Sequence, residues 1–396
     1  MVNIERRLNA ILYIPCAVAP LSLIGSSLIL YTLYRDRLRK RRQARQDLSS
    51  SSSPSPPKPH TSFHRLLTGV AVFNIILSVG FTLGPLPTPA EYGAYYPFGI
   101  GTIATCNFQG FLLQVGSGSF AYSAMLMVYY LCVVRWNISE TTISRRIEPI
   151  LHAFPISFHL GTAIAALSTG HFNPSSGVCW MGVYPPGCNI EGGGTECQRG
   201  TPYDRLFGFG FVFVPQAVYS VLIALVMLVM GCHAWTRYRQ TIRKNRFARI
   251  SDFGRSQRTK SNLVVTQCIL YAISYLNCTA WASVTGFLHE RGVQMDYLGK
   301  HYWIAVCAIT FYPLQGFLYC LIFNRPNFIE RRKRRQRQRQ RLDEWEEEEQ
   351  EERQRQRQRL DEWEEEEQEE RISSRRIGDT ATATTGHTDT IAEPTK

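Results

Sequence analysis

Seven long apolar stretches alternate with charged segments along this chain of 396 residues. Each stretch is long enough to cross a hydrocarbon core of about 30 Å as a helix, because an α-helix rises ~1.5 Å per residue. The pattern indicates an all-α membrane protein with a seven-transmembrane helix bundle over residues 10–328. The predicted spans are residues 10–34, 66–86, 107–134, 150–168, 206–234, 262–288 and 302–323.

The third span is the most informative of the seven. Residues 107–134 contain no Asp, Glu, Lys, Arg or His, and Cys106 and Arg135 stand at the two ends. We therefore expect this helix to cross the whole membrane, with Cys106 at the outer surface and Arg135 at the cytosolic surface.

The distribution of Lys and Arg predicts the orientation. The loops after spans one, three and five hold nine, three and nine of these residues, whereas those after spans two, four and six hold none, two and two. Basic loops are retained in the cytosol. We therefore predict a short extracellular N-terminus (residues 1–9), a long basic Ser/Pro-rich first cytosolic loop (35–65) and a cytosolic tail (329–396).

The formal charge of +12 suggests nucleic acid as a partner. The basic clusters instead border membrane spans, which indicates contact with the anionic inner leaflet of a lipid bilayer, and no nucleic acid is expected. Four basic residues at the predicted cytosolic surface are candidates for contact with a cytosolic partner: Arg135, Arg237, Arg243 and Lys244.

Four of the eleven cysteines fall in or beside the predicted outer loops, namely Cys106, Cys179, Cys188 and Cys197. The outer side is oxidising, so we expect disulfide bonds there. A bond from Cys106 to Cys179 would fix the third span to the loop between spans four and five. Cys188 and Cys197 could close a small loop. Four cysteines allow three pairings, and the sequence leaves the choice open.

The tail contains a tandem repeat, because residues 335–352 and 353–370 are identical. Eighteen residues make five helical turns, so each copy would present the same face. Glu349 precedes Arg353 by four residues, the order that favours helical ion pairs. The tail is expected to be either a charged helix of coiled-coil type or a disordered arm, and a solvated tail is favoured over one docked on a partner.

Polar and aromatic side chains in the spans and the second outer loop could line an outer cavity for a small-molecule or peptide ligand. In the alternative interpretation these residues hold helices together. His152 and His159 share one helix face and are expected to bond neighbouring helices rather than a metal. The pocket candidates are Gln114, Trp180, Tyr275, Trp281 and Trp303.

No nucleophile–base set, phosphate-binding loop or zinc motif is present in the sequence, so we expect neither an enzyme nor a cofactor or metal site. The predicted span interiors also lack Lys, Arg, Asp and Glu, which disfavours a proton-coupled transporter. Without a lysine in span seven there is no attachment point for retinal.

The seventh span carries a further motif in the run TFYPLQGFLYCLIFNRPNF. It resembles the end of that span in secretin-like and cAMP-receptor-like G-protein-coupled receptors, the latter known from protists and algae. The residues that carry the resemblance are Gln315, Gly316, Phe317, Tyr319 and Asn324. The resemblance implies a plasma-membrane receptor that transmits a ligand signal to a heterotrimeric G protein. An acidic-Arg-Tyr end of span three is absent, because the chain reads Val134-Arg135-Trp136.

Two other functions stay open. Pro215-Gln216 matches the Pro-Gln pair of seven-span PQ-loop sugar and amino-acid transporters, although a second such pair in a repeated three-helix unit is missing. The third hypothesis is a membrane scaffold that recruits proteins through its charged tail.

Overall fold

The computed structural model describes residues 2–50, 61–92, 98–175, 177–185, 188, 196–200, 206–245, 252–290 and 300–383. It divides into two units, Met1–Arg325 and Pro326–Lys396. The helices are α1 (Val2–Ser50), α2 (Ser62–Thr82), α3 (Ile103–Gly116), α4 (Gly118–Val134), α5 (Glu140–Thr142), α6 (Glu148–Ser168), α7 (Val214–Asn245), α8 (Asp252–Glu290), α9 (Tyr302–Phe311) and α10 (Gln315–Ala383). One antiparallel hairpin joins β1 (Phe172–Ser175) to β2 (Val178–Met181).

Six stretches of the described chain are long and apolar enough to cross a membrane. They are Asn9–Gln43, Ser62–Thr82, Ile103–Val134, Glu140–Ser168, Leu206–His233 and a stretch that begins at Tyr302. The molecule is therefore a helical, multi-pass membrane protein. The expected sixth span lies in α8, which is not among these six, although it packs against α7 and α9.

Helix α7 shows how the bundle meets its surroundings. Val218, Val221, Leu225 and Leu228 recur every three or four residues, and each is more than half exposed. A continuous apolar stripe of this kind is unfavourable in water but matches lipid chains, because a helix satisfies its own backbone hydrogen bonds. The stripe supports a membrane environment independently of hydropathy.

The third predicted span is the most buried of the six. It consists of α3 and α4, which contact α2, α6, α7 and α8 between them. Gly116 permits a close approach, because a Cβ atom at this position would lie 2.5 Å from the backbone nitrogen of Leu77 on α2. Small residues bring membrane helices into backbone contact in this way, and here they place α3 and α4 at the centre.

A similar contact joins the first and last helices of the bundle. A Cβ atom added to Gly25 would lie 2.8 Å from Cα of Phe317, and one added to Gly316 would lie 2.2 Å from Oγ of Ser26. The backbone N–H of Gly316 donates to Oγ of Ser22 at 2.8 Å. The small residues of the first span therefore let α10 approach α1 closely.

Helix α1 continues to Ser50, through the basic residues that follow the first predicted span. Residues 35–50, predicted to connect the first two spans, are therefore helical. This segment is rich in Arg, Lys, Leu and Gln, which favour helix, and it contains no Gly or Pro to end one. Residues 2–9 are also helical. The Ser/Pro-rich residues 51–60 lie outside the described chain.

In the second unit, the part of α10 that carries the repeat is helical through both copies. Ion pairs four residues apart follow the predicted order, with Glu349 to Arg353 at 3.2 Å and Glu351 to Arg355 at 3.3 Å. Of the two expected states, the helix is the one observed.

Candidate functional site

Two disulfides select one of the three pairings that the sequence allowed. Cys106 at the start of α3 is bonded to Cys179 in β2, and Cys188 is bonded to Cys197. The first bond joins the central helix to the hairpin across 73 residues of chain. We call the end of the bundle that carries β1 and β2 the hairpin end.

The hairpin lies in a segment predicted to be a loop, and its form depends on a short turn. Gly177 has a φ of +88°, a left-handed conformation that favours glycine. The register pairs Asn173 with Trp180 and Phe172 with Met181. Phe172 is fully buried against α3, where Gly110 leaves room for its ring: a Cβ atom at Gly110 would lie 2.5 Å from it. The alternation of Phe172, Val178 and Trp180 around Ser-Gly was the available signal.

Gln109, one turn below the disulfide, holds three backbone segments together. Its side-chain oxygen accepts the N–H of Cys179 at 2.8 Å. Its amide nitrogen donates to the carbonyls of Gly80 at 2.9 Å and Gly84 at 2.8 Å, at the end of α2. Because Gln109 is fully buried, these bonds replace water and fix the hairpin, α2 and α3 relative to each other.

Two of the pocket candidates meet below the hairpin. The indole N–H of Trp180 donates to the side-chain oxygen of Gln114 at 3.2 Å. The amide nitrogen of Gln114 donates to Oγ1 of Thr162 on α6 at 2.9 Å. The hairpin therefore contacts a buried polar group near the middle of the central helix, which is in turn bonded to a third element.

Aromatic rings connect Trp180 to a third candidate. The ring of Trp180 lies 6.2 Å from that of Tyr312, which lies 4.6 Å from Phe120, and Phe120 lies 6.1 Å from Tyr275. Tyr275 is fully buried. Trp303 is 72% exposed and does not join this group, and Trp281 shows no ring contact with it in the described chain. The structure thus joins Gln114 and Trp180 directly, links Tyr275 to them only through Tyr312 and Phe120, and leaves Trp281 and Trp303 apart.

The opposite end of the bundle carries an ionic cluster that was not predicted from the sequence. Arg65 on α2 forms a two-point ion pair with Glu148 on α6, and Nη2 of Arg65 also donates to Oγ of Ser144 at 2.8 Å. Oγ of Ser62 donates to the same carboxylate at 2.7 Å. Glu148 is 6% exposed, so this carboxylate is almost fully removed from water. We call this end the ion-pair end.

Glu140 connects the ion-pair end to α4, the second half of the central α3–α4 segment. Its carboxylate accepts the hydroxyl of Tyr129 on α4 at 3.3 Å and the backbone N–H of Ser62 on α2. Gln109 and Tyr129 are 20 residues apart in the sequence, or ~30 Å along a helix, so the hairpin end and the ion-pair end lie on opposite sides of the bundle. In the sequence, the only indication of this cluster is that Arg65 and Glu148 each lie just before a predicted span. That position does not show which residue either one pairs with.

Both histidines of α6 bond neighbouring helices, as predicted. His152 accepts or donates a hydrogen bond with the hydroxyl of Tyr122 at 3.0 Å, and it lies 3.6 Å from Glu148. His159 bonds Oγ of Ser117 at 2.9 Å. The described residues contain no group of three or more His, Cys, Asp or Glu placed to hold a metal ion.

Arg135 ends α4 at the ion-pair end and is exposed. It makes no side-chain ion pair with another residue in the part of the chain that the structure describes, so its guanidinium is open to a partner. Helix α7 contains the other three candidates, Arg237, Arg243 and Lys244, but the structure does not describe their side chains.

No protein-family model matches this chain, and no curated protein matches it either, so membership of a receptor family remains a prediction from the sequence.

Proposed function

We propose that this protein is a plasma-membrane receptor that binds a small molecule or peptide at the hairpin end and signals to a heterotrimeric G protein at the ion-pair end. The observation that carries the proposal is the hydrogen bond from Trp180 to Gln114. It joins a disulfide-anchored hairpin to the central helix, so a ligand that moves the hairpin also moves α3 and α4.

The central helix is suited to transmit such a movement. The α3–α4 segment contacts four other helices, and at the ion-pair end its Tyr129 donates to the Glu140 carboxylate. A ligand shifts the two-state equilibrium of such a bundle only by its difference in affinity for the two states. The exposed Arg135, with anionic lipid headgroups around it, faces the side on which a G protein would bind under this proposal.

A test uses the full chain expressed with a panel of Gα subunits and a reporter of nucleotide exchange. Because a minor active state is populated at 0.1–10% in typical two-state proteins, we expect basal exchange above that of cells without the chain. Charge reversal by Arg135→Glu should remove it, whereas Arg39→Glu, in the exposed part of α1, should not. Absence of basal exchange and of a response to nucleotides, amines and short peptides across the panel would overturn the proposal.

A transporter is the second candidate because of Gln216. This residue of the Pro-Gln pair is 7% exposed, and its amide nitrogen has no hydrogen-bond partner among the described residues. An open polar group within a membrane helix is a feature of substrate pathways. Uptake of labelled glucose or amino acids into liposomes that contain the purified chain, lost in Gln216→Leu, would favour this function over the receptor.

A further inference from the structure

The tail helix exposes large apolar side chains at regular intervals. Leu342, Trp345 and Leu360 are each 59% exposed, and Trp363 is 60% exposed. Leu360 and Trp363 repeat Leu342 and Trp345 after 18 residues, or five turns, so all four lie on one face of the helix. Exposed tryptophans at two such positions, in an otherwise charged helix, indicate a surface that a partner covers.

The charges of the tail are separated into blocks along the helix. Residues 335–341 and 353–359 carry only Arg and Gln, whereas residues 343–352 and 361–370 are dominated by Glu. Basic and acidic blocks therefore alternate every half repeat. A partner that covers the whole face must therefore place acidic residues beside each basic block and basic residues beside each acidic block.

We propose that the tail pairs with the tail of a second copy of this chain as an antiparallel helix pair. In the register that places Leu342 opposite Trp363, Trp345 lies opposite Leu360, and both apolar patches are covered. The same register sets residues 335–341 beside 364–370 and residues 353–359 beside 346–352. Each basic block then lies beside an acidic block of the other copy, and the pairing is symmetric about residues 352 and 353.

Other occupants fit the face less well. A parallel pair in register would place each basic block beside the identical basic block, which is unfavourable. An anionic membrane surface is disfavoured because each repeat carries four Arg against eight Asp and Glu. The same acidic excess disfavours nucleic acid. A parallel pair shifted by nine residues would match the charges but place Leu342 beside Glu351, whereas the reversed copy matches the charges and covers the apolar residues at once.

Cysteine cross-linking of the full chain in detergent distinguishes these arrangements. Two differently tagged copies are co-expressed, and mild oxidation is followed by non-reducing electrophoresis, with the wild-type chain as the control for its own free cysteines. We expect Leu342→Cys to cross-link with Trp363→Cys, and Glu352→Cys, at the symmetry centre, to cross-link with itself. Leu342→Cys should not cross-link with itself. Self-linking of Leu342→Cys would show a parallel pair, and no linking above wild type would show a solvated or lipid-bound tail; either result overturns the proposal.

A block exchange of charge tests the register without added cysteines. One variant replaces Arg335, Arg337, Arg339 and Arg341 by Glu, and its counterpart replaces Glu364, Glu366, Glu367 and Glu370 by Arg. Each variant alone should lose about tenfold or more in self-association, measured by energy transfer between labelled chains, because several attractions become repulsions together. A mixture of the two variants should regain wild-type association. A mixture that does not regain association would overturn the proposed register. Variants that had merely lost their helix would also fail to associate in the mixture, so recovery excludes that explanation.

Discussion

Arg65 and Glu148 form a two-point ion pair that joins the first turns of α2 and α6 at one end of the bundle. The carboxylate is almost fully buried, whereas about a third of the arginine side chain is exposed. Because a buried carboxylate without a partner is strongly unfavourable, each residue requires the other. The pair therefore fixes the spacing of α2 and α6 at this end of the bundle.

The first prediction concerns this pair. Arg65→Gln should lower the free energy of unfolding by about 1–3 kcal/mol, because it leaves the Glu148 carboxylate buried without its cation. Adding Glu148→Gln to Arg65→Gln should recover part of the loss, since the unpaired charge is removed. Thermal unfolding of the purified chain in detergent measures both. Arg146→Gln, at an exposed site of the same region, is the control, and equal effects of Arg65→Gln and Arg146→Gln would contradict the assignment.

The second prediction compares the two disulfides. On the chain-entropy model, the Cys106–Cys179 bond closes 73 residues and contributes about 4 kcal/mol, whereas the Cys188–Cys197 bond closes nine and contributes about 2.5 kcal/mol. Replacing both cysteines of the first bond by Ala should therefore lower the melting temperature more than replacing both of the second. The reverse order would show that the hairpin is held to the bundle by its packing rather than by the bond.

The third prediction concerns Gln109. Gln109→Leu preserves the size of the side chain but leaves the N–H of Cys179 and the carbonyls of Gly80 and Gly84 without their partner. We expect a loss of about 3 kcal/mol, at about 1 kcal/mol for each bond. Gln267→Leu in α8 is the matched control, because Gln267 is only partly buried. A loss no greater than that of the control would mean that water replaces the amide.

The fourth prediction rests on the proposed receptor function. Trp180→Phe keeps an aromatic ring beside Tyr312 but removes the hydrogen bond to Gln114. We expect basal nucleotide exchange on Gα to persist and the response to an activating ligand to weaken. Gln114→Leu, which also removes the hydrogen bond to Thr162, should weaken the response at least as much. Adding Trp180→Phe to Gln114→Leu should change little further, because the bond that Trp180 makes to Gln114 is already lost. Fully additive losses would contradict a shared role.

The amino-acid sequence by itself determined where the apolar helices lie, because the length and hydropathy of a span are local properties of consecutive residues. It also determined which residues share a face of the tail helix, since an 18-residue repeat places Leu342 and Leu360 on one face whatever surrounds them. It did not determine the end of α1, because charged residues such as Arg39 and Arg41 suit both a loop and a helix.

Only the tertiary structure decided which distant residues meet. Spacing left three disulfide pairings open, and the packing of the hairpin on α3 selected Cys106 with Cys179. Arg65 and Glu148 are 83 residues apart, and neither has a local feature that identifies the other. Such contacts depend on how closely the helices approach, which is set by small residues such as Gly116, and that distance is a property of two surfaces together rather than of either sequence segment alone.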